Sequence, residues 1–128
     1  MKRKLITLFL FILTVITVAS AFTVTANAAT ASLTVNDKWV YSNTLSAKGT
    51  KATVYNAASS NHDVYGIIQY KSGTSYVTDY EFLVKKGVNS GYKNSASKFT
   101  ANKTWRLELN PYGVATKGCT ADGTIVSR

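Results

Sequence analysis

From Ala31 onward the apolar residues recur with period two, and no window of ten or more shows the i, i+3, i+4, i+7 spacing of an amphipathic helix. Period two sends successive side chains to opposite faces of a pleated strand, so such a chain buries one face of each segment and wets the other. Clusters of Gly, Asn, Asp and Ser interrupt the runs at intervals suited to short strands. The expectation is an all-β fold: one small antiparallel β-sandwich, Ig-like or jelly-roll-like. No internal repeat is visible.

The cleanest alternation is Thr104 to Asn110, with Trp105, Leu107 and Leu109 on one face and Arg106 and Glu108 on the other. It is the expected core strand. Thr50 to Asn56 sets Ala52 and Val54 against Lys51, Thr53 and Tyr55, a half-buried strand. Asp63 to Tyr70 is apolar on both faces, Val64, Ile68 and Tyr70 opposing Tyr65 and Ile67, as expected for a central strand covered on both sides. Ser72-Gly73 offers the positive φ of a tight hairpin, pairing that strand with Tyr76 to Lys85. On the latter, Tyr76, Tyr80, Phe82 and Val84 share one face, and Asp79, Glu81 and Lys85 the other.

Elsewhere the pattern is weaker. Leu33 and Val35 alternate with Ser32 and Thr34, Asn36-Asp37 makes a turn, and Lys38 to Tyr41 resumes a strand. Ser42 to Gly49 reads as a polar loop. Val88 to Asn102 reads as a long loop with one irregular edge strand, anchored by Tyr92 and Phe99. Pro111-Tyr112-Gly113 closes the core strand with a turn, since proline presets φ and cannot donate to a ladder. In Lys117 to Val126, either Cys119, Ala121, Gly123 and Ile125 line one face beneath a closely approaching sheet, or Asp122-Gly123 is itself a turn.

Ahead of this domain lie Lys2, Arg3 and Lys4, then an apolar run from Leu5 to Val18 broken only by Thr7, Thr14 and Thr17, then Ala26-Asn27-Ala28. A basic start, an apolar core and a small-x-small site make a cleavable, helical secretion signal. Residues 1–28 are therefore expected to be a leader and 29–128 the sandwich. Ala19-Ser20-Ala21 is a weaker cut site. An uncleaved anchor would need about 20 apolar residues, which Leu5 to Ala21 approaches, but the cut site and the polar chain beyond favour cleavage. Three of the fifteen basic residues precede the cut and none of the six acidic ones, so the net charge falls from +9 to +6. The single cysteine, Cys119, excludes an intramolecular disulfide, so the core must hold the fold. A disulfide-free secreted domain behind such a leader suggests a Gram-positive bacterial source. Asn102-Lys103-Thr104 matches the glycosylation sequon, which a bacterial protein would leave unused.

The strongest functional asymmetry is the segment Lys85 to Arg106. Lys85, Lys86, Lys93, Lys98, Lys103 and Arg106 are met there by no acidic residue and are interleaved with Tyr92, Phe99 and Trp105. Cations beside aromatic faces suit a polyanion or a glycan. Lysine also commonly protects sheet edges, which is the plainer account of such a run. The binding residues expected are Lys85, Lys86, Tyr92, Lys93, Lys98, Lys103 and Arg106. The eight tyrosines imply that several stand on outer sheet faces, where exposed rings stack on sugars or partner surfaces, although tyrosine also simply fits a pleated sheet.

Catalytic signals are weak. His62 beside Asp63 lacks an adjacent nucleophile motif, and Asp79 with Glu81 resembles a carboxylate pair only through its spacing. One His and one Cys give no metal-ligand set. The expectation is a non-enzymatic secreted or wall-associated protein, without cofactor or metal, that binds an anionic cell-wall polymer or membrane surface and no specific nucleic acid. A secreted antimicrobial protein of bacteriocin type, and a small hydrolase or protease inhibitor, are the alternatives. The chain is expected to be a monomer, with a buried Cys119 favoured over a disulfide-linked dimer through it.

Overall fold

The alternation becomes nine strands among residues 27–114 and 116–128, which the computed structural model describes. They are β1 (Ala28–Leu33), β2 (Val40–Tyr41), β3 (Leu45–Ala47), β4 (Thr50–Asn56), β5 (Val64–Ser72), β6 (Ser75–Val84), β7 (Asn89–Lys93), β8 (Lys103–Pro111) and β9 (Ala121–Ser127). One sheet has the order β1-β9-β4-β7; the other runs β2-β8-β5-β6, with β3 also on β8. Every pairing is antiparallel.

β2 and β3 lie along the same edge of β8, Val40 opposite Leu109 and Leu45 opposite Trp105. Between them Ser42 bridges to β8 twice: its N–H donates to the Leu107 carbonyl at 2.8 Å, and its Oγ accepts from the Leu107 N–H at 2.9 Å. Taken as one interrupted strand, β2 and β3 complete the order of a jelly roll, two four-stranded sheets between which the chain crosses at every connection except the β5–β6 hairpin. The all-β sandwich expected from periodicity is the observed fold, and of the two topologies considered the jelly roll is the one found. Two local expectations fail. The segment Ser42 to Gly49 is not all loop, because Leu45 and Ala47 are buried in β3, a three-residue alternation too short to stand out. The strand expected over Lys38 to Tyr41 shortens to β2, leaving Trp39 half exposed.

Facing rows fill the core. Trp105, Leu107 and Leu109 of β8 and Val64 and Ile68 of β5 meet Leu33, Val54 and Ile125 from the other sheet, all essentially inaccessible. The Trp105 indole N–H donates to the Ala47 carbonyl at 2.8 Å, satisfying the one polar atom of the largest core side chain. β9 supplies the close approach expected of small residues: a Cβ on Gly123 would stand 2.6 Å from Leu107 Cδ2. Asp122-Gly123 is therefore strand and not turn.

β6 departs from the expected alternation. Ile68 pairs with Tyr80 and Gln69 with Thr78, so Asp79 is an extra residue, a β-bulge. The bulge shifts the face of everything before it, so Asp79 and Glu81 do not share a face. β5 is central, flanked by β6 and β8, but only one of its faces is covered by the opposing sheet. Tyr65 and Ile67 point away from the core.

The expected leader lies outside the described residues except for Asn27 and Ala28. Ala28 opens β1 opposite Val126, and the Asn27 carbonyl accepts from the Ser127 N–H at 3.1 Å.

Candidate functional site

The jelly-roll path sends the β3–β4, β5–β6 and β7–β8 connections and the C-terminus to one end of the sandwich. Lys48, Lys51 and Lys71 therefore join Lys93, Lys98, Lys103 and Arg128 there. Among the described residues Asp79 is the one acidic side chain at that end, and Lys98 neutralises it in an ion pair. The hydrogen bond to Asp79 holds the Lys98 ammonium above the usual lysine range. The other carboxylates, Asp37, Asp63, Glu81, Glu108 and Asp122, belong to the opposite half.

Backbone bonds clasp the cationic end together. The Thr50 N–H donates to Asn94 Oδ1 at 2.7 Å, and the Asn94 N–H to the Thr50 carbonyl at 3.1 Å. The Phe99 N–H donates to the Lys48 carbonyl at 3.2 Å, and the Arg128 N–H to the Gly49 carbonyl at 2.9 Å. Chain segments far apart in sequence thus hold their cations in one place.

On the outer face of the first sheet at this end, Lys51 of β4 stands directly opposite Lys93 of β7. Like charges placed so repel and lower stability. Next to them Gly91, opposite Thr53, leaves a notch of about 310 Å³ lined by Lys51, Ala52, Thr53, Gly91, Tyr92 and Lys93. A Cβ on Gly91 would lie 2.4 Å from the Ala52 carbonyl oxygen, so β7 keeps its approach to β4 only with glycine.

The expected binding residues are dispersed. Lys93, Lys98 and Lys103 reach the cationic end, whereas Lys85 and Lys86 sit on the β6–β7 turn, a strand's length away at the opposite end. Arg106 lies on the outer face of the second sheet, its guanidinium carbon 3.8 Å from the Tyr41 ring centre and 3.7 Å from that of Tyr76. The aromatics mostly serve the core. Trp105 is wholly buried and packs with Phe99 and Tyr70, and Tyr92 stacks on Tyr80 with centroids 3.7 Å apart. Lys103 caps Phe99 at 5.2 Å. Lys48, Lys51, Lys71 and Arg128 fall outside the segment expected to bind, because only topology brings them together.

The outer face of the second sheet is organised differently. Arg106 Nε donates to Gln69 Oε1 at 2.7 Å, Gln69 Nε2 to Glu108 Oε2 at 3.2 Å, and Asn110 Nδ2 to Glu108 Oε1 at 3.2 Å. Beyond Asn110 a groove of about 470 Å³ runs over Ile67, between Glu81 and the rings of Tyr65 and Tyr112.

No family model and no curated protein sequence matches the chain. In fold it is similar to PirA, whose crystal structure superimposes with a TM-score of 0.53 at 9% identity, over 79% of this chain and 93% of that one. Yersinia pseudotuberculosis-derived mitogen (YPM) superimposes with a TM-score of 0.44 at 11% identity, over 79% of this chain and 84% of that one. At such identities the likeness to PirA concerns the fold alone.

The catalytic arrangements considered from sequence take definite positions. The bulge separates Asp79 from Glu81, removing the shared face that a carboxylate pair would use. The Cys119 thiol is buried and meets the His62 carbonyl, at 3.4 Å. Among the described residues, no group of three or more His, Cys, Asp or Glu side chains is placed to hold a metal ion.

Proposed function

We propose that this is a secreted, non-catalytic binding protein whose cationic end holds an anionic polymer of the bacterial cell envelope. One observation carries the reading: Lys51 and Lys93 face each other across β4 and β7 beside the Gly91 notch. Their mutual repulsion is relieved when a phosphate or carboxylate sits between them. Lys48, Lys71, Lys103 and Arg128 extend the same field for neighbouring charges along a polymer. The aromatic rings at this end are packed on the core or capped, which supports attraction to a polymer over insertion into a bilayer.

The test is binding of the purified protein to poly(glycerol phosphate), with neutral dextran as control. Affinity is expected to fall steeply as salt rises from about 0.05 to 0.3 M, as the screening length shortens. A Lys51→Glu, Lys93→Glu variant is expected to lose binding, whereas Lys85→Glu, Lys86→Glu is expected to retain it. Equal loss in both variants, or salt-independent binding, refutes the proposal. Stronger binding to anionic vesicles that resists salt transfers the site to a membrane surface.

A further inference from the structure

We infer that the groove on the outer face of the second sheet is a second binding site, for a neutral sugar ring. It lies on the other sheet, in the half of the molecule away from the cationic end, and does not depend on the polyanion reading. One side of it is the aromatic pair Tyr65 of β5 and Tyr112 just after β8, their rings packed on each other with centroids 5.8 Å apart and tilted by 39°. Ile67, two residues from Tyr65 on the same face of β5, forms the floor beside them, with Glu81 on one flank and Asn110 on the other. The groove is shallow and open to solvent, so it suits contact with one face of a ligand.

The polar chemistry selects the ligand. A carboxylate only accepts hydrogen bonds, so the Asn110 atom turned to Glu108 is its NH₂, which leaves Oδ1 as an acceptor. Glu108 is fixed in turn by Gln69, and Gln69 by the stacked Arg106. Asn110 is thus oriented by a chain of bonds running across the sheet. Glu81 adds a second acceptor, and neither lysine nor arginine lines the groove. Glu81 repels an anion, and β5 is paired along both edges, so no free strand edge is offered to a peptide backbone. A pyranose fits the groove: its C–H face stacks on tyrosine, and its ring hydroxyls donate to Glu81 and Asn110. Tyr112 is 56% exposed although it is a large aromatic, as a stacking platform requires.

The experiment is titration of the intact protein with maltose, lactose and chitobiose, followed by NMR of the Asn110 side-chain amide and the Tyr65 and Tyr112 rings. At least one disaccharide is expected to shift these signals together, with millimolar affinity. Tyr112→Ala, an exposed position whose loss leaves the core intact, is expected to abolish the shifts. Glu81→Gln is expected to weaken binding by about tenfold, the scale of a hydrogen bond to a charged group. Lys51→Glu is expected to leave sugar binding unchanged. The proposal is overturned if none of the three sugars shifts these residues at about 20 mM, well above the dissociation constant of a weak site. Shifts that survive Tyr112→Ala, or poly(glycerol phosphate) occupying the groove, overturn it equally.

Discussion

Lys98 closes an ion pair on Asp79, a residue that reaches the cationic end only because a bulge in β6 turns it there. Asn94 Nδ2 donates to the same carboxylate at 3.2 Å, so Asp79 ties the β7–β8 connection to β6. It therefore has two opposed effects, holding the loop in place and cancelling charge where the polymer is proposed to bind.

Asp79→Asn separates these effects. Losing a nearly buried, doubly bonded carboxylate is expected to cost about 1–3 kcal/mol of stability. Freeing Lys98 adds a cation to the field, so affinity for poly(glycerol phosphate) is expected to rise, roughly twofold at low salt. Urea unfolding and polymer binding on the same variant check both signs. Weaker binding would mean that the ordered loop matters more than the released charge.

The contact between sheets at Gly123 and Leu107 gives a second expectation. Gly123→Ala places a Cβ against Leu107 Cδ2 and Leu109 Cδ2, two buried side-chain ends that must shift to admit it, and is expected to cost about 1–3 kcal/mol. Leu107→Ala alone leaves a cavity and costs about 2–5 kcal/mol. Each change relieves the other, so the double variant should lose less than the two single costs combined, as a double-mutant cycle by urea denaturation will show.

What could be read from sequence follows from where each signal resides. The β8 alternation and the Ser72-Gly73 hairpin are local, and both appear as expected, Gly73 with φ of 64°. The bulge at Asp79 leaves no mark in the spacing of β6, which by itself puts both carboxylates on one face. Apolar residues on both faces of Asp63 to Tyr70 suggest cover by a layer on each side, yet the outer face has no such layer: neighbouring side chains screen Ile67, and Tyr65 stands at an open groove. The same sequence pattern serves a covered strand and a ligand platform. The cationic end is harder still to see, since Lys48, Lys51, Lys71 and Arg128 are scattered along the chain and meet only through the jelly-roll path.

The turn after β1 carries a pH dependence. The Thr34 N–H and hydroxyl both donate to Asp37 Oδ2 at 2.8 Å, and these bonds hold the Asp37 carboxyl below the usual carboxylate range. A depressed folded pKa means a stabilising contribution that is complete above the unfolded value and is lost as pH falls through the folded one. Thermal midpoints of wild type and Asp37→Asn should therefore differ near neutrality and converge in acid. A difference that persists at pH about 2, below the usual aspartate range, would assign the effect to packing and not to charge.

Cys119 offers the last test. Its side chain is inaccessible, and its thiol meets the His62 carbonyl beside Asn56, whose Nδ2 donates to that same carbonyl at 3.1 Å. Both a covalent dimer and reaction with a thiol reagent require this end of the sandwich to open, since a disulfide needs the two sulfurs in contact. The native protein is expected to run as a monomer on a non-reducing gel after mild oxidation. Labelling by iodoacetamide should be slow and should accelerate with urea along the global unfolding curve. Rapid labelling without denaturant would show a local opening at the His62 loop, distinct from unfolding of the core. Cys119→Ser keeps a donor for the His62 carbonyl but buries a more polar atom, so it should fold with a lower urea midpoint, while Cys119→Ala loses the donor and leaves a smaller, apolar side chain in its place. If the serine variant proves the more stable of the two, the hydrogen bond to His62 outweighs the cost of burying the hydroxyl.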